Sequence, residues 1–193
     1  HGGVDEAPMK AGALLLLDVG CEHSNGSASD ISRTWAVSGS LSSTQSLIHQ
    51  AVKAAQSAAV ERCQVGQEFT SVHMSAMRSL THSLLELGIF KGSLDALMER
   101  EVGAYFFPHG VGHLLGLDVH DMEDLGDLAG YANGRERSSR RSLQYLRMDR
   151  KLERNMIVTI EPGFYQVPQL IEQARRNCFE MIDWHILDQF GDV

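Results

Sequence analysis

The chain has 193 residues, 43% apolar and 22% charged, which is the length and balance of one folded domain with a core of its own. Its formal charge of −8 argues against nucleic acid or an anionic membrane surface as the main partner. Its longest apolar run, residues 13–17, is far short of the ~20 residues that span a bilayer.

In chain order, residues 13–18 read as a buried strand, Asn25-Gly26 as a turn and residues 28–37 as a returning strand. This hairpin carries Asp18 and Asp30 and can bring both carboxylates to one metal. The sequon Asn25-Gly26-Ser27 reads as part of that turn. Ser42 with Gln45 three residues on forms a capping-box pattern, and Leu47, Ile48, Ala51, Val52, Ala55, Ala58 and Ala59 continue an apolar helical stripe that ends near Gly66. A second helix begins at Thr70 or Ser71, turns Met74, Met77, Leu80, Leu84 and Leu87 inward, and stops at Gly88. A short helix over 94–100 follows, then a glycine-rich segment with three histidines, and residues 157–160 read as a strand leading to Glu161. Between these last two, residues 134–154 carry eight Arg or Lys against Glu136, Asp149 and Glu153 and read as a solvated surface insertion. Cys21, Cys63 and Cys178 form no CxxC pair, which fits reduced thiols of a cytoplasmic protein.

The segment PHGVGHLLGLDVHD, residues 108–121, places His109, His113 and His120 four and seven residues apart among Gly110, Gly112 and Gly116. Imidazoles ligate metals or carry protons, and glycines let the backbone approach a bound group closely. TIEPGFY adds Glu161, and LLLLDVG and SASDISRT supply Asp18 and Asp30. Alone, Asp18 reads as a turn residue, Asp30 as a surface partner of Arg33, His113 as a core histidine and Glu161 as a strand end; their joint order is what points to a site. Asp18, Asp30, His113 and Glu161 make an oxygen-rich, histidine-poor set of the kind that suits manganese, with cobalt or zinc able to compete. Two such ions would activate a bridging water as hydroxide and polarise a carbonyl, so hydrolysis is the natural reaction class. His109 and His120 are left to bind substrate, stabilise the intermediate and pass protons.

Through LLLLDVGCE, SDISRTWAVSG, FFPHGVGHLLGLDVHD and VTIEPGFY the chain resembles the catalytic domain of the metallopeptidases that include Xaa-Pro aminopeptidase (aminopeptidase P) and prolidase. The resemblance implies the pita-bread fold of α+β type and a site of two divalent ions, commonly manganese. It implies cleavage of the bond preceding proline by a metal-bound hydroxide. The implied metal ligands are Asp18, Asp30, His113 and Glu161. Glu161 would also relay a proton, His120 would assist the intermediate, and His109 and His1 would bind a proline-containing peptide. Homodimerisation of a longer protein is implied as well.

The family closes its site with a later strand reading like GxRxED, and no such strand follows Tyr165. The chain also begins at His1, inside what would be the catalytic domain. Residues 1–193 are therefore expected to form an incomplete catalytic domain without the amino-terminal domain and the last metal-ligand strand. Twelve positions separate Asp18 from Asp30, one more than the family hairpin usually has, and the Asn25-Gly26 turn is expected to absorb the extra residue. Two other functions fit the same fold: an inactive peptide- or protein-binding module, and a creatinase-like hydrolase of small carbon–nitrogen substrates. Turnover of Xaa-Pro peptides separates them.

Overall fold

The computed structural model describes residues 8–193, so His1, expected in the substrate pocket, lies outside the described residues. Two antiparallel strands, β1 (Leu14–Val19) and β2 (Ile31–Ala36), come first among the described residues. Among the described residues six α-helices follow: α1 (Ser43–Arg62), α2 (Phe69–Glu86), α3 (Leu94–Glu99), α4 (Asp127–Gly130), α5 (Pro168–Asn177) and α6 (Trp184–Asp188). No helix among the described residues is long and apolar enough to cross a membrane.

The hairpin keeps one register along its length, from Leu14 opposite Ala36 to Val19 opposite Ile31, and the same pairing continues to a bridge between Glu22 and Ala28. The extra residue is taken up in the turn, where His23 N–H bonds Ser27 O and Gly26, at φ 86°, bonds back to His23 O. No slip reverses the side chains. Asp18 lies opposite Ser32, and Asp30 is two residues from Ser32, so both carboxylates belong to one face. The first strand is not the buried strand expected: Leu16, Leu17 and Val19 are exposed, as are Ile31 across from Val19 and Trp35 across from Leu15.

The helices hold the core. Ser42 caps α1 with both halves of the capping box in place, and Ile48, Ala51, Ala55 and Ala59 face α2. Small residues at that spacing let the α2 side chains Val72, Ala76, Leu80 and Leu84 seat against α1, and all four are fully buried. The carboxy-terminal helices close the other side: Ala174, Cys178, Ile182 and Leu187 join the same core, and Ile182 bridges Phe90.

The segment with the three histidines is extended and bonded antiparallel to the segment before Glu161. Glu161 N–H bonds Val111 O at 2.7 Å, Thr159 N–H bonds His113 O at 2.9 Å and Leu115 N–H bonds Ile157 O at 3.0 Å. The expected strand at 157–160 is therefore present as a hydrogen-bonded ribbon with one formal bridge, Leu114 to Val158. Residues 134–154 differ from the expected solvated insertion. Arg135 pairs with Glu68 and Asp149, Arg137 with Asp127, Arg140 with Glu101 and Arg147 with Glu123, while Leu146, Met148 and Leu152 are buried beneath. A count of charges along a chain does not reveal partners that lie far away in sequence.

Candidate metal centre

Pairing in the ribbon decides which side chains meet. His113 lies opposite Thr159, and Glu161, two residues further, projects to the same side. The hairpin reaches this point through one backbone bond, Ala28 N–H to Gly116 O at 2.8 Å. Asp30, His113 and Glu161 then bring ligand-type atoms within 4.8 Å of one another. His113 Nε2 stands 3.1 Å from Asp30 Oδ2 and 3.2 Å from Glu161 Oε1. The His113 side chain is 4% exposed, that of Asp30 13% and that of Glu161 33%, so the cluster is sheltered and opens on the Glu161 side.

The tautomer follows from the partners. His113 Nδ1 meets Leu114 O at 2.8 Å; a carbonyl only accepts, so Nδ1 carries hydrogen. Nε2 is then directed at two carboxylates, an arrangement that requires a positive charge between them: a proton on Nε2, or a metal ion facing its lone pair. Burial pulls the His113 pKa down, but Glu161, the Leu114 carbonyl and Asp30 together raise it above the ordinary value. Burial first, then the charges of Glu161 and Asp18, raise Asp30, against the pull of His113. Burial works to raise Glu161 as well, yet hydrogen bonds from His113 and Thr159 leave it lowered. Each group is held by a charge that a divalent cation would supply more strongly, so the donor set fits one.

Asp18 stands at the margin. It is outside the tight group, its Oδ1 takes the Ser32 hydroxyl at 2.7 Å, and its charge is felt at Asp30 and Tyr165. His109 donates Nδ1–H to Gly110 O at 2.8 Å and sets Nε2 3.1 Å from the Tyr165 hydroxyl. Burial lowers its pKa, so the neutral ring accepts a hydrogen bond from the Tyr165 O–H. The His120 ring stands edge-on to His113, with centroids 4.5 Å apart. Its Nδ1 is 3.2 Å from Arg147 Nη1; a guanidinium only donates, so Nε2–H of His120 remains free to donate.

Three participants escape a reading of motifs alone. Thr159 accepts His113 N–H at 3.0 Å and donates to Glu161 Oε1 at 2.6 Å; its place two residues before Glu161 in an extended segment was the available signal. Tyr165 is the partner of His109. Arg147, 27 residues from His120, left no local signal. Two glycines are required sterically: a Cβ at Gly112 would lie 1.9 Å from Thr159 O, and one at Gly20 2.1 Å from Ser29 O. Beside His109 a cleft of about 460 Å³ opens, lined by Pro108, His109, Leu114, Tyr145 and Met148 together with the charged Asp121, Glu123, Asp127, Arg137 and Arg147. It adjoins the cluster through His109 and Leu114, whose carbonyl holds His113.

Comparison with known proteins places residues 1–185 in a match to the family described as metallopeptidase family M24. The chain is 35% identical over 173 residues to the Xaa-Pro dipeptidase of Rattus norvegicus, covering 90% of this chain and 34% of that protein. It is 34% identical over 189 residues to the probable Xaa-Pro aminopeptidase of Phaeosphaeria nodorum, covering 97% and 39%. Among solved structures it is similar to Pseudomonas aeruginosa aminopeptidase PepP, with a TM-score of 0.68, 34% identity and coverage of 84% of this chain and 32% of that one. Zinc-substituted Escherichia coli aminopeptidase P in complex with product gives a TM-score of 0.69 at 33% identity, covering 86% and 33%. The chain spans about a third of the length of these relatives.

Proposed function

From the premise that this chain belongs to metallopeptidase family M24 and has its α+β pita-bread fold, we propose that it carries the metal centre of a hydrolase acting on the peptide bond that precedes proline. The observation that carries this reading is His113 Nε2, set 3.1 Å from Asp30 Oδ2 and 3.2 Å from Glu161 Oε1 while Nδ1–H is held by Leu114 O. Asp30, His113 and Glu161 would hold a divalent ion, and Asp18, on the same face of the hairpin, would join Asp30 in holding a second. Manganese suits this set of three carboxylates and one imidazole. When bound, such ions polarise the scissile carbonyl and make water acidic enough to attack near neutral pH.

The remaining steps belong to side chains. Glu161 keeps Oε1 occupied by the Thr159 hydroxyl, which fixes its carboxylate to accept a proton from the attacking water. His120, with Nδ1 engaged by Arg147, offers Nε2–H to the oxygen on which negative charge develops. His109, kept neutral by burial and oriented by Tyr165, forms one wall for the substrate together with Phe107 behind it. A proline ring is rigid and apolar, and the cleft beside His109 offers Pro108, Leu114 and Met148 to receive it.

The test is calorimetric titration of the metal-free chain with Mn²⁺, run beside Asp18→Asn and His113→Ala, followed by an Xaa-Pro peptide cleavage assay. About two ions per chain are expected, with both substitutions reducing binding. Binding of one ion or none, indifferent to both substitutions, would refute the reading.

A further inference from the structure

A buried imidazole outside the cluster is bonded to the segment that carries it. His73, on the inward face of α2, has no exposed surface, and its Nδ1 accepts the Val111 N–H at 3.1 Å. Val111 is equally buried and lies midway between His109 and His113. Its carbonyl accepts the Glu161 N–H at 2.7 Å. The backbone of one residue therefore ties the histidine segment to a long helix on one side and to the Glu161 segment on the other. The His73 ring also meets Phe107, with centroids 5.4 Å apart, and Phe107 in turn meets the edge of His109 at 4.9 Å.

Gly110 and Gly112 flank Val111, so the backbone at this point has no neighbouring side chains to fix it, and its order depends on an external anchor. Accepting an N–H requires an unprotonated Nδ1, which leaves the hydrogen on Nε2. That Nε2–H is buried, and the Ser142 backbone that draws on it falls short of hydrogen-bond geometry, so it has no full partner among the described residues. A position that needed only to be filled would avoid this cost with an aliphatic side chain. The acceptor atom is the feature that distinguishes histidine here. Burial supports it by holding the imidazole neutral, with a pKa of about 4, although the Ser142 backbone pulls the other way.

We propose that His73 is a positioning residue for the metal centre, holding the Val111 amide so that His109, His113 and Glu161 keep their mutual spacing. This rests on the reading of His113 and Glu161 as metal ligands. Four chains test it: the 193-residue protein, His73→Leu, which keeps the bulk without the acceptor, His73→Asn, whose amide oxygen falls near the place of Nδ1, and Leu80→Ala, a core control on the same helix. For each, the thermal midpoint, the Mn²⁺ affinity by calorimetry and the exchange protection of the Val111 and His113 amides by NMR are measured.

His73→Leu is expected to weaken Mn²⁺ binding about tenfold or more and to lose Val111 protection, while His73→Asn stays within about threefold of the parent. Leu80→Ala is expected to lower the midpoint at least as much and to leave affinity and protection in place. The proposal is overturned if His73→Leu binds Mn²⁺ as the parent does, or if Leu80→Ala weakens binding equally. If the parent chain binds no Mn²⁺, the metal reading fails and the amides decide: selective loss of Val111 protection in His73→Leu upholds the positioning role, and unchanged protection overturns it. If His73→Leu does not fold, His73→Gln, whose oxygen falls near Nε2 instead, takes its place with the same expectation.

Discussion

At the scale of single residues, the centre is governed by close approach and by tautomer. Gly112 is the clearest steric case, because any Cβ there would overlap Thr159 O and push apart the ribbon that holds His113 beside Glu161. Gly112→Ala is expected to destabilise the chain by about 1–3 kcal/mol and to abolish Mn²⁺ binding, as read by urea unfolding and calorimetry on one sample. His73 illustrates how burial couples to pH. Its folded pKa of about 4 lies below the ~6.5 of an unfolded chain, so on acidification the unfolded chain takes up a proton that the folded one refuses. The stability linked to His73 is complete above pH 6.5 and is lost as pH falls toward 4, by roughly 3 kcal/mol in all. Urea unfolding at pH 7 and pH 4.5 should show His73→Leu losing less stability than the parent over that interval. An equal loss in both chains would contradict the assignment.

At the scale of elements, the helices are set by local chemistry that a sequence displays openly. Ser42 and Gln45 close α1 at its first turn, and Ser42 Oγ also donates to Asp192 Oδ2 at 2.6 Å, tying that turn to the carboxy-terminal end of the chain. Ser42→Ala is expected to lower unfolding stability by about 1 kcal/mol, measured by urea titration, whereas Thr44→Val, which leaves the capping box intact, should lower it less. The strands are a different matter. The apolar run at 13–17 suggested burial, but Leu16 and Leu17 are exposed, because a two-stranded ribbon covers neither of its faces. Its register was nevertheless decided locally: a turn that ends in Gly26 at positive φ absorbs one residue and keeps Asp18 and Asp30 on the same side.

At the scale of the whole molecule, the basic segment at 134–154 is fastened to the body by charges from distant positions. Glu101, in the left-handed region at φ 53°, accepts from Arg140 Nε at 3.0 Å, from Arg141 N–H at 3.0 Å and from the Ser142 hydroxyl. Burial works to raise its pKa, but Ser142, Arg140 and the Arg141 amide hold it below the usual carboxylate range. Glu101→Ala is expected to free the segment, so that trypsin cuts between residues 135 and 147 several times faster while the thermal midpoint falls by only a few degrees. Equal cleavage rates would show that Glu101 is not the fastening. The same segment contributes Tyr145, Arg147 and Met148 to the cleft beside His109, so its attachment shapes the space that a substrate would enter.

The legible part of this protein was its helices and the family to which its motifs belong. The helix caps and the apolar periodicity follow from interactions within a turn or two of chain, and Asp18, Asp30, His113 and Glu161 each stand in a short motif of residue types that can ligate. The convergence of Asp30 on His113 across 83 residues, the hydroxyl of Thr159 between His113 N–H and Glu161, the Arg147 partner of His120 and the buried His73 beneath Val111 were decided only in three dimensions. Sequence displays which groups can ligate or donate; which lone pair faces which carboxylate depends on distances between segments, and only the folded packing determines those.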